Sequence, residues 1–170
     1  MERMATIFTT DRLIFRHLEL EDLDELAPLY ADPEMRQFYP EKTLDRVQTR
    51  EEIEWFLNGH PDHPTLGLWA TMLGDRFIGR CGLLPWKLDG RLEVEVAYMI
   101  DKRFWGKGLG TEAASGVLRY AIDVLGLKRL ICLIEPGNDA SVRVAIKIGM
   151  TFEKEDEDEK GPYLLYSVEV

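Results

Sequence analysis

The sequence predicts an α/β (α+β) fold, a mixed central sheet of about seven strands with about four helices on its two faces. Three observations predict it. Apolar residues switch between period-two and helical spacing along the chain. Three consecutive strand-like runs are joined by tight turn signals. A later apolar strand lies between two helical segments, the order a sheet covered on both faces requires. The 170 residues, 45% of them hydrophobic, suit one domain spanning residues 1–170, since a chain of that length buries roughly two-thirds of its unfolded surface. No repeat, low-complexity tract or Ser/Gly-rich linker divides it.

Arg12 to Leu18 alternates apolar and polar residues like a half-buried strand, and the acidic stretch after it opens a helix through Leu23, Leu26, Leu29 and Tyr30. A second helix is expected from Asp45 to Leu57 with Val47, Ile53, Phe56 and Leu57 inward. Asn58 to Thr65, with Pro61 and Pro64, reads as a loop. Strands follow at about Leu66 to Leu73, Phe77 to Pro85 and Leu92 to Ile100, with Gly74-Asp75 and Asp89-Gly90 between them as hairpin turns. From Leu109 to Leu125 the residues Ala113, Val117, Leu118, Ala121 and Leu125 recur at helical spacing, with Gly126 placed as a C-terminal cap. Arg129 to Ile134 is a short apolar strand. A helix from Ala140 to Ile148 and strands near Met150 to Lys154 and Pro162 to Val168 complete the chain.

The formal net charge of -10 argues against nucleic acid as a partner, because phosphate backbones are bound by basic surfaces. The acidic runs Glu19 to Glu25 and Glu153 to Glu159 read as a solvated helix start and a solvated turn. Met1 to Asp11 lacks the basic patch and apolar run of a leader, and no window approaches the roughly 18 apolar residues of a membrane span. A cytoplasmic protein without membrane contact is expected. Cys81 and Cys132 each sit in an apolar strand-like stretch and read as reduced, buried thiols. His60 and His63 flank Pro61 in a loop without further ligand spacing, so no metal is expected.

The segment that carries chemistry is Ile100-Asp-Lys-Arg-Phe-Trp-Gly-Lys-Gly-Leu-Gly-Thr-Glu-Ala114, where a strand ends, a glycine-rich turn follows and a helix begins. Gly106, Gly108 and Gly110 let the backbone take positive φ and approach a ligand, so that successive N–H groups and the new helix N-terminus face an anion. Arg103 and Lys107 make this turn basic within an acidic protein. It is neither a P-loop, which needs Lys-Ser or Lys-Thr after its second glycine, nor the G-x-G-x-x-G dinucleotide fingerprint, since the glycines run G-x-G-x-G late in the chain.

Arg103-x-x-Gly106-x-Gly108 followed by Leu109-Gly110-Thr111-Glu112-Ala113 resembles the coenzyme A pyrophosphate loop of the GCN5-related N-acetyltransferase (GNAT) superfamily. Pro136-Gly-Asn138-Asp-Ala-Ser141 running to Lys147-Ile-Gly149 is similar to the family's later Asn-x-x-Ser helix. The opening Thr10-Asp-Arg-Leu-Ile-Phe-Arg16 and the Gly79-x-x-Gly82 strand resemble the subgroup of ribosomal-protein N-terminal (RimJ/RimL-like) acetyltransferases. The resemblance covers nearly the whole chain. It implies a sheet splayed between the fourth and fifth predicted strands, Leu92 to Ile100 and Arg129 to Ile134, with acetyl-CoA as co-substrate in the gap. It implies that the backbone of Met99 and Ile100 pairs with pantetheine amides, and that the N–H groups from Trp105 through Gly106, Lys107, Gly108, Leu109 and Gly110 to Thr111 hold the pyrophosphate. Asn138 and Ser141 then face the cofactor, unless Asn138 is only the N-cap of its helix and Ser141 a packing residue. The acceptor implied is an amine on a small molecule or peptide, and the enzyme a monomer or homodimer.

Acetyl transfer needs a neutral amine, and at pH 7 a lysine of pKa about 10.4 is neutral only about 0.04% of the time, against roughly 10–15% for an α-amino group. A general base is therefore useful. Alternation puts Glu93, Glu95, Ala97 and Met99 on one face of a strand expected to be central, and Glu95 is the candidate base, directly or through water; the other reading leaves Glu93 and Glu95 in solvent at an open sheet end. A backbone N–H at Met99 or Ile100 would serve the oxyanion. Many family members place a tyrosine in the late helix to protonate the thiolate, but Ala145 occupies that position, leaving Ser141, Tyr163, Tyr166 or water. A ping-pong route through Cys81 or Cys132 lacks a histidine partner. Phe38, Tyr39, Trp55 and Trp86 either wall an acceptor pocket or pack in the core. A non-catalytic acyl-CoA sensor of the same fold is the alternative function.

Overall fold

A mixed sheet of eight strands organises the computed structural model, which describes residues 5–170; the first four residues of the opening segment lie outside the described ones. The strands are β1 (Thr6–Thr9), β2 (Leu13–His17), β3 (Gly67–Leu73), β4 (Arg76–Leu88), β5 (Arg91–Ile100), β6 (Arg129–Ile134), β7 (Thr151–Asp158) and β8 (Gly161–Glu169). The helices are α1 (Leu23–Ala31), α2 (Arg46–Trp55), α3 (Leu109–Asp123) and α4 (Asp139–Lys147). Across the sheet the order is β1-β2-β3-β4-β5-β6-β8-β7, and every neighbouring pair is antiparallel except β5 and β6.

The strand beyond the expected seven is β1. Four residues are too few for alternation to show beside charged neighbours; pairing with β2 and the stacking of Phe8 on Phe15 and Tyr120, ring centroids 4.3 and 4.8 Å apart, hold it at the edge. β4 runs past the expected end at Pro85 to Leu88. Proline fits there because β3 stops opposite Leu83, so one side of β4 is an edge, and Pro85 lies opposite Val94 at a point where the strands exchange no hydrogen bonds. Two turn and helix readings need correction. Glu153 to Glu159 lies mostly in β7 rather than in a turn, because the strand is an outer arm paired with β8 and its charges stay in water. Val47 is 67% exposed, since the inward stripe of α2 is Thr49, Ile53 and Phe56.

Each face of the sheet carries its own core. On one face α3 and α4 pack Leu109, Ala113, Val117 and Ala145 against Leu13, Phe15, Trp69, Ile78, Val94, Val96 and Leu130. On the other, α1 and α2 pack Leu26, Leu29, Tyr30, Ile53 and Phe56 against Leu68, Ala70, Phe77 and Met99. Between them the parallel pair β5 and β6 meets at one register point, Glu95 opposite Ile131, and the ladder goes no further. Arg129 clamps this junction: its guanidinium bonds Glu93 on β5 at 3.0 Å, Glu153 on β7 at 2.9 Å and Glu169 on β8 at 3.0 Å. Among the described residues no helix is long and apolar enough to cross a membrane.

Candidate active site

The gap between β5 and β6 exposes strand backbone that has no strand partner. In an antiparallel ladder alternate residues turn their N–H and C=O to the same neighbour. The Asp101 N–H bonds Ile78 of β4, while the Val96 carbonyl accepts from Cys132 Sγ of β6 at 3.4 Å. The residues facing the gap are therefore Val96, Tyr98 and Ile100. This corrects the expectation for Met99, whose N–H and C=O are turned into the β4 ladder opposite Arg80. Ile100 faces the gap as expected, and its carbonyl accepts from the Trp105 indole at 2.7 Å, tying the glycine turn to the strand end.

Glu95 stands where the sheet opens. Its Oε2 accepts from the Leu133 N–H of β6 at 3.1 Å and its Oε1 from the Trp86 indole N–H at 2.9 Å. The carboxylate thus replaces the next rung of the ladder and helps to part the strands. A carboxylate has about four lone-pair directions, so two donors leave capacity for a proton. Burial pushes its pKa up, more than those two hydrogen bonds and the charge of Arg80 hold it down. Glu93 is no solvated end residue either: it is 4% exposed and ion-paired with Arg129 and Arg91.

On the opposite face of β5 the Tyr98 hydroxyl crosses to α4, 2.9 Å from the Ser141 carbonyl and 3.0 Å from Ser141 Oγ. Tyr98 is a residue that sequence reasoning missed. It reads as one more apolar position in the alternation, and only the pairing across the gap reveals its hydroxyl. Burial holds its phenol well above the usual range, so it stays protonated and able to donate. Ala145 is buried in the core below. Asn138 caps α4, its Oδ1 accepting from the Ser141 N–H at 3.3 Å, which leaves its amide nitrogen uncommitted by that bond.

The glycine turn lies at the same end of the gap. Gly106 and Gly108 have φ of 78° and 76°, values that L side chains rarely adopt, and α3 starts directly after Gly108. The first helical bond is Glu112 N–H to the Gly108 carbonyl, so the N–H groups of Leu109, Gly110 and Thr111 have no partner within the helix. A Cβ on Gly106 or Gly110 would meet nothing within 4 Å, and one on Gly108 only Arg12 Nη2 at 3.6 Å. The turn is thus an open cradle of N–H groups that fits an anion such as a pyrophosphate. The two arginines beside it are both ion-paired. Arg103 is folded back on Asp101 at 2.6 Å, whereas Arg12, latched to Glu112 at 2.7 Å, bonds the Lys107 carbonyl at 3.0 Å.

The remaining candidates separate. Trp86 touches Glu95, Phe38 and Tyr39 lie half-buried on the loop between α1 and α2, and Trp55 is 54% exposed, edge-on to His60. His60 and His63 lie side by side with their rings tilted, centroids 5.5 Å apart, and no metal-competent cluster occurs among the described residues. Cys81 and Cys132 are buried thiols whose pKa values burial raises, which makes them poor nucleophiles. Tyr166 of β8 is buried and meets Phe152 of β7 edge-on.

Comparison with known proteins agrees with this architecture. The model of the acetyltransferase (GNAT) domain family matches residues 12–151. The uncharacterized protein YkkB of Bacillus subtilis is 34% identical over 152 residues, 88% of this chain and 87% of that protein. The uncharacterized N-acetyltransferase p20 of Bacillus licheniformis is 30% identical over 158 residues, 89% of this chain and 84% of its own. Among solved structures, the ribosomal L7/L12 α-N-protein acetyltransferase RimL in complex with coenzyme A superposes with a TM-score of 0.78 at 13% identity, over 98% of each chain.

Proposed function

Because the chain belongs to the GNAT acetyltransferase family, we propose that it moves the acetyl group of acetyl-CoA onto a primary amine of a small molecule or peptide, by direct attack in a ternary complex. The observation that carries this reading is the placement of two proton-handling groups on opposite faces of β5 at one opening in the sheet: Glu95 on the α1/α2 face, and Tyr98 with Ser141 on the α3/α4 face. Acetyl-CoA supplies the thioester carbon and the thiolate leaving group. The cradle of Gly106, Gly108, Gly110 and Thr111 with Arg12 suits its pyrophosphate, and the backbone of Tyr98 and Ile100 its pantetheine amides. Asn138 and Ser141 flank it from α4.

Glu95 takes the proton from the attacking nitrogen, directly or through water, as the C–N bond forms; its raised pKa brings it nearer to an amine than an exposed glutamate would be. The Ile100 N–H points into the gap and can donate to the thioester oxygen as negative charge develops there. As the C–S bond breaks, the Tyr98 hydroxyl, held by Ser141, delivers a proton to sulfur. One amine proton is lost and one thiol proton gained, so the exchange balances without a metal or redox partner. The same reading places the protein in the cytoplasm, with both cysteines as thiols.

The test is release of free coenzyme A thiol from acetyl-CoA across N-terminal peptides, polyamines, aminoglycosides and free amino acids. Turnover with at least one class is expected. Tight acetyl-CoA binding with no thiol release from any amine would instead describe an acyl-CoA sensor.

A further inference from the structure

We infer that the acceptor is a small amine bearing a carboxylate, of the amino-acid type, whose carboxylate docks on Arg36 and Arg80 while its amine lies at Glu95; this rests on the acetyl-transfer reading above.

The two arginines are 4% exposed each and share the same two aromatic rings. The Arg36 guanidinium carbon lies 4.9 Å from the Tyr30 ring centroid and 4.3 Å from that of Tyr39, and the Arg80 carbon 5.6 Å from both. Arg80 Nε donates to the Tyr30 hydroxyl at 2.7 Å, and that hydroxyl donates to Glu52. Arg80 Nη2 reaches the Tyr39 hydroxyl at 3.4 Å, and Arg36 Nε donates to the Lys42 carbonyl at 2.6 Å. Guanidinium has five N–H donors, so both arginines keep donors for a bidentate anion.

Charge matching singles this pair out. Every other buried charged residue in the described structure has an opposite charge in contact: Asp22 with Arg16 at 2.9 Å, Glu93 with Arg129 at 3.0 Å, Asp101 with Arg103 at 2.6 Å. Arg80 has none, meeting Glu52 only through the Tyr30 hydroxyl. Arg36 has Glu41 at 4.0 Å, but Glu41 is exposed and lies closer, 3.2 Å, to Lys160. Two buried like charges so weakly balanced are costly unless an anion joins them.

Their position fits an acceptor. Along β4 and β5 the pairs Arg80 with Met99, Gly82 with Ala97 and Leu84 with Glu95 share the α1/α2 face. Between the arginine and the carboxylate this face carries only the small residues Gly82, closely approached by the Gly67 carbonyl of β3, and Ala97. Over it lies the α1–α2 loop, which carries Arg36 and Tyr39 and is fastened across the opening by Lys42 to Glu135 at 4.0 Å and Glu41 to Lys160 at 3.2 Å. The loop thus brings Arg36 and Tyr39 over the same face of the sheet as Arg80 and Glu95.

The test is calorimetric titration of the full chain, with coenzyme A present, by N-acetyl amino acids and by the amides of the same compounds. These stand for products and need no turnover. The acids are expected to bind at least tenfold more tightly than their amides, with the preference lost in Arg80→Met and Arg36→Met and coenzyme A affinity unchanged. Equal binding of acid and amide by the unmodified chain, or binding of no acid, overturns the inference without recourse to a variant. Thiol release from neutral amines alone would overturn it while leaving acetyl transfer standing. Acid-selective binding without thiol release from any amine would do the reverse.

Discussion

Apart from Asp101, buried just past the end of β5, the buried charged side chains among the described residues, Asp22, Arg36, Arg80 and Glu93, lie on the face of the sheet under α1 and α2, which also half-buries Glu95, and none lies under α3 and α4. One strand shows both: β5 presents Val94, Val96 and Ile100 to the first face and Glu93 and Glu95 to the second. The polar groups of the apolar face that meet the gap are the neutral hydroxyls of Tyr98 and Ser141. The charged face carries groups whose burial costs free energy, and a desolvated carboxylate is what a base of raised pKa requires. On the proposed function, cofactor and leaving group would be served from the apolar side and the amine from the charged side.

The largest expected effect breaks one side only. Gly108→Glu puts a side chain at positive φ and a negative charge into the anion cradle, and should weaken acetyl-CoA binding at least about a thousandfold by calorimetry while the charged face stays intact. Next, Glu95→Gln should lower kcat by about 10²–10⁴-fold with acetyl-CoA affinity nearly unchanged. Arg129→Met tests whether the clamp joins the two half-sheets. Stripping Glu93 of its main partner should cost about 3 kcal/mol in denaturant unfolding. Part of this depends on pH: Arg129 holds the Glu153 carboxyl below its ordinary range. A depressed folded pKa gives stability that is present above the unfolded carboxylate pKa and lost as pH falls through the folded one, so the gap between variant and parent should narrow in acid.

Smaller effects sharpen the apolar side. Tyr98→Phe removes the hydroxyl from Ser141 and should cost about tenfold in kcat, with the double variant carrying Ser141→Ala losing less than the two single losses combined, because the hydroxyls act as one unit. Asn138→Ala should cost about 1 kcal/mol of thermal stability as a lost helix cap. A parallel loss of acetyl-CoA affinity would show that the same side chain also meets the cofactor.

Most of the fold was legible because its elements are periodic: Arg129 to Ile134 and the start of α3 at Leu109 fall where pattern and glycine placed them. β1 was not, because a four-residue edge strand is made by pairing and aromatic stacking rather than by its own pattern. Within the site, the glycine cradle and Glu95 were legible from turn chemistry and alternation. Three features were not, and for one reason: each is a contact between residues far apart in sequence. Tyr98 gains its role from α4, Arg12 reaches the cradle through Glu112, and the Arg129 clamp gathers carboxylates from three strands. The backbone direction of Met99 depends on which neighbour its amide faces, which the alternation of side chains does not fix.

The most direct measurement is the pH dependence of kcat for the parent enzyme and Glu95→Gln with the best amine found. The parent should show an acid limb with an apparent pKa above the ordinary carboxylate range, flattened in the variant along with its fall in kcat. A variant with the parent's kcat and the same acid limb would remove Glu95 from the chemistry and with it the division of labour between the two faces.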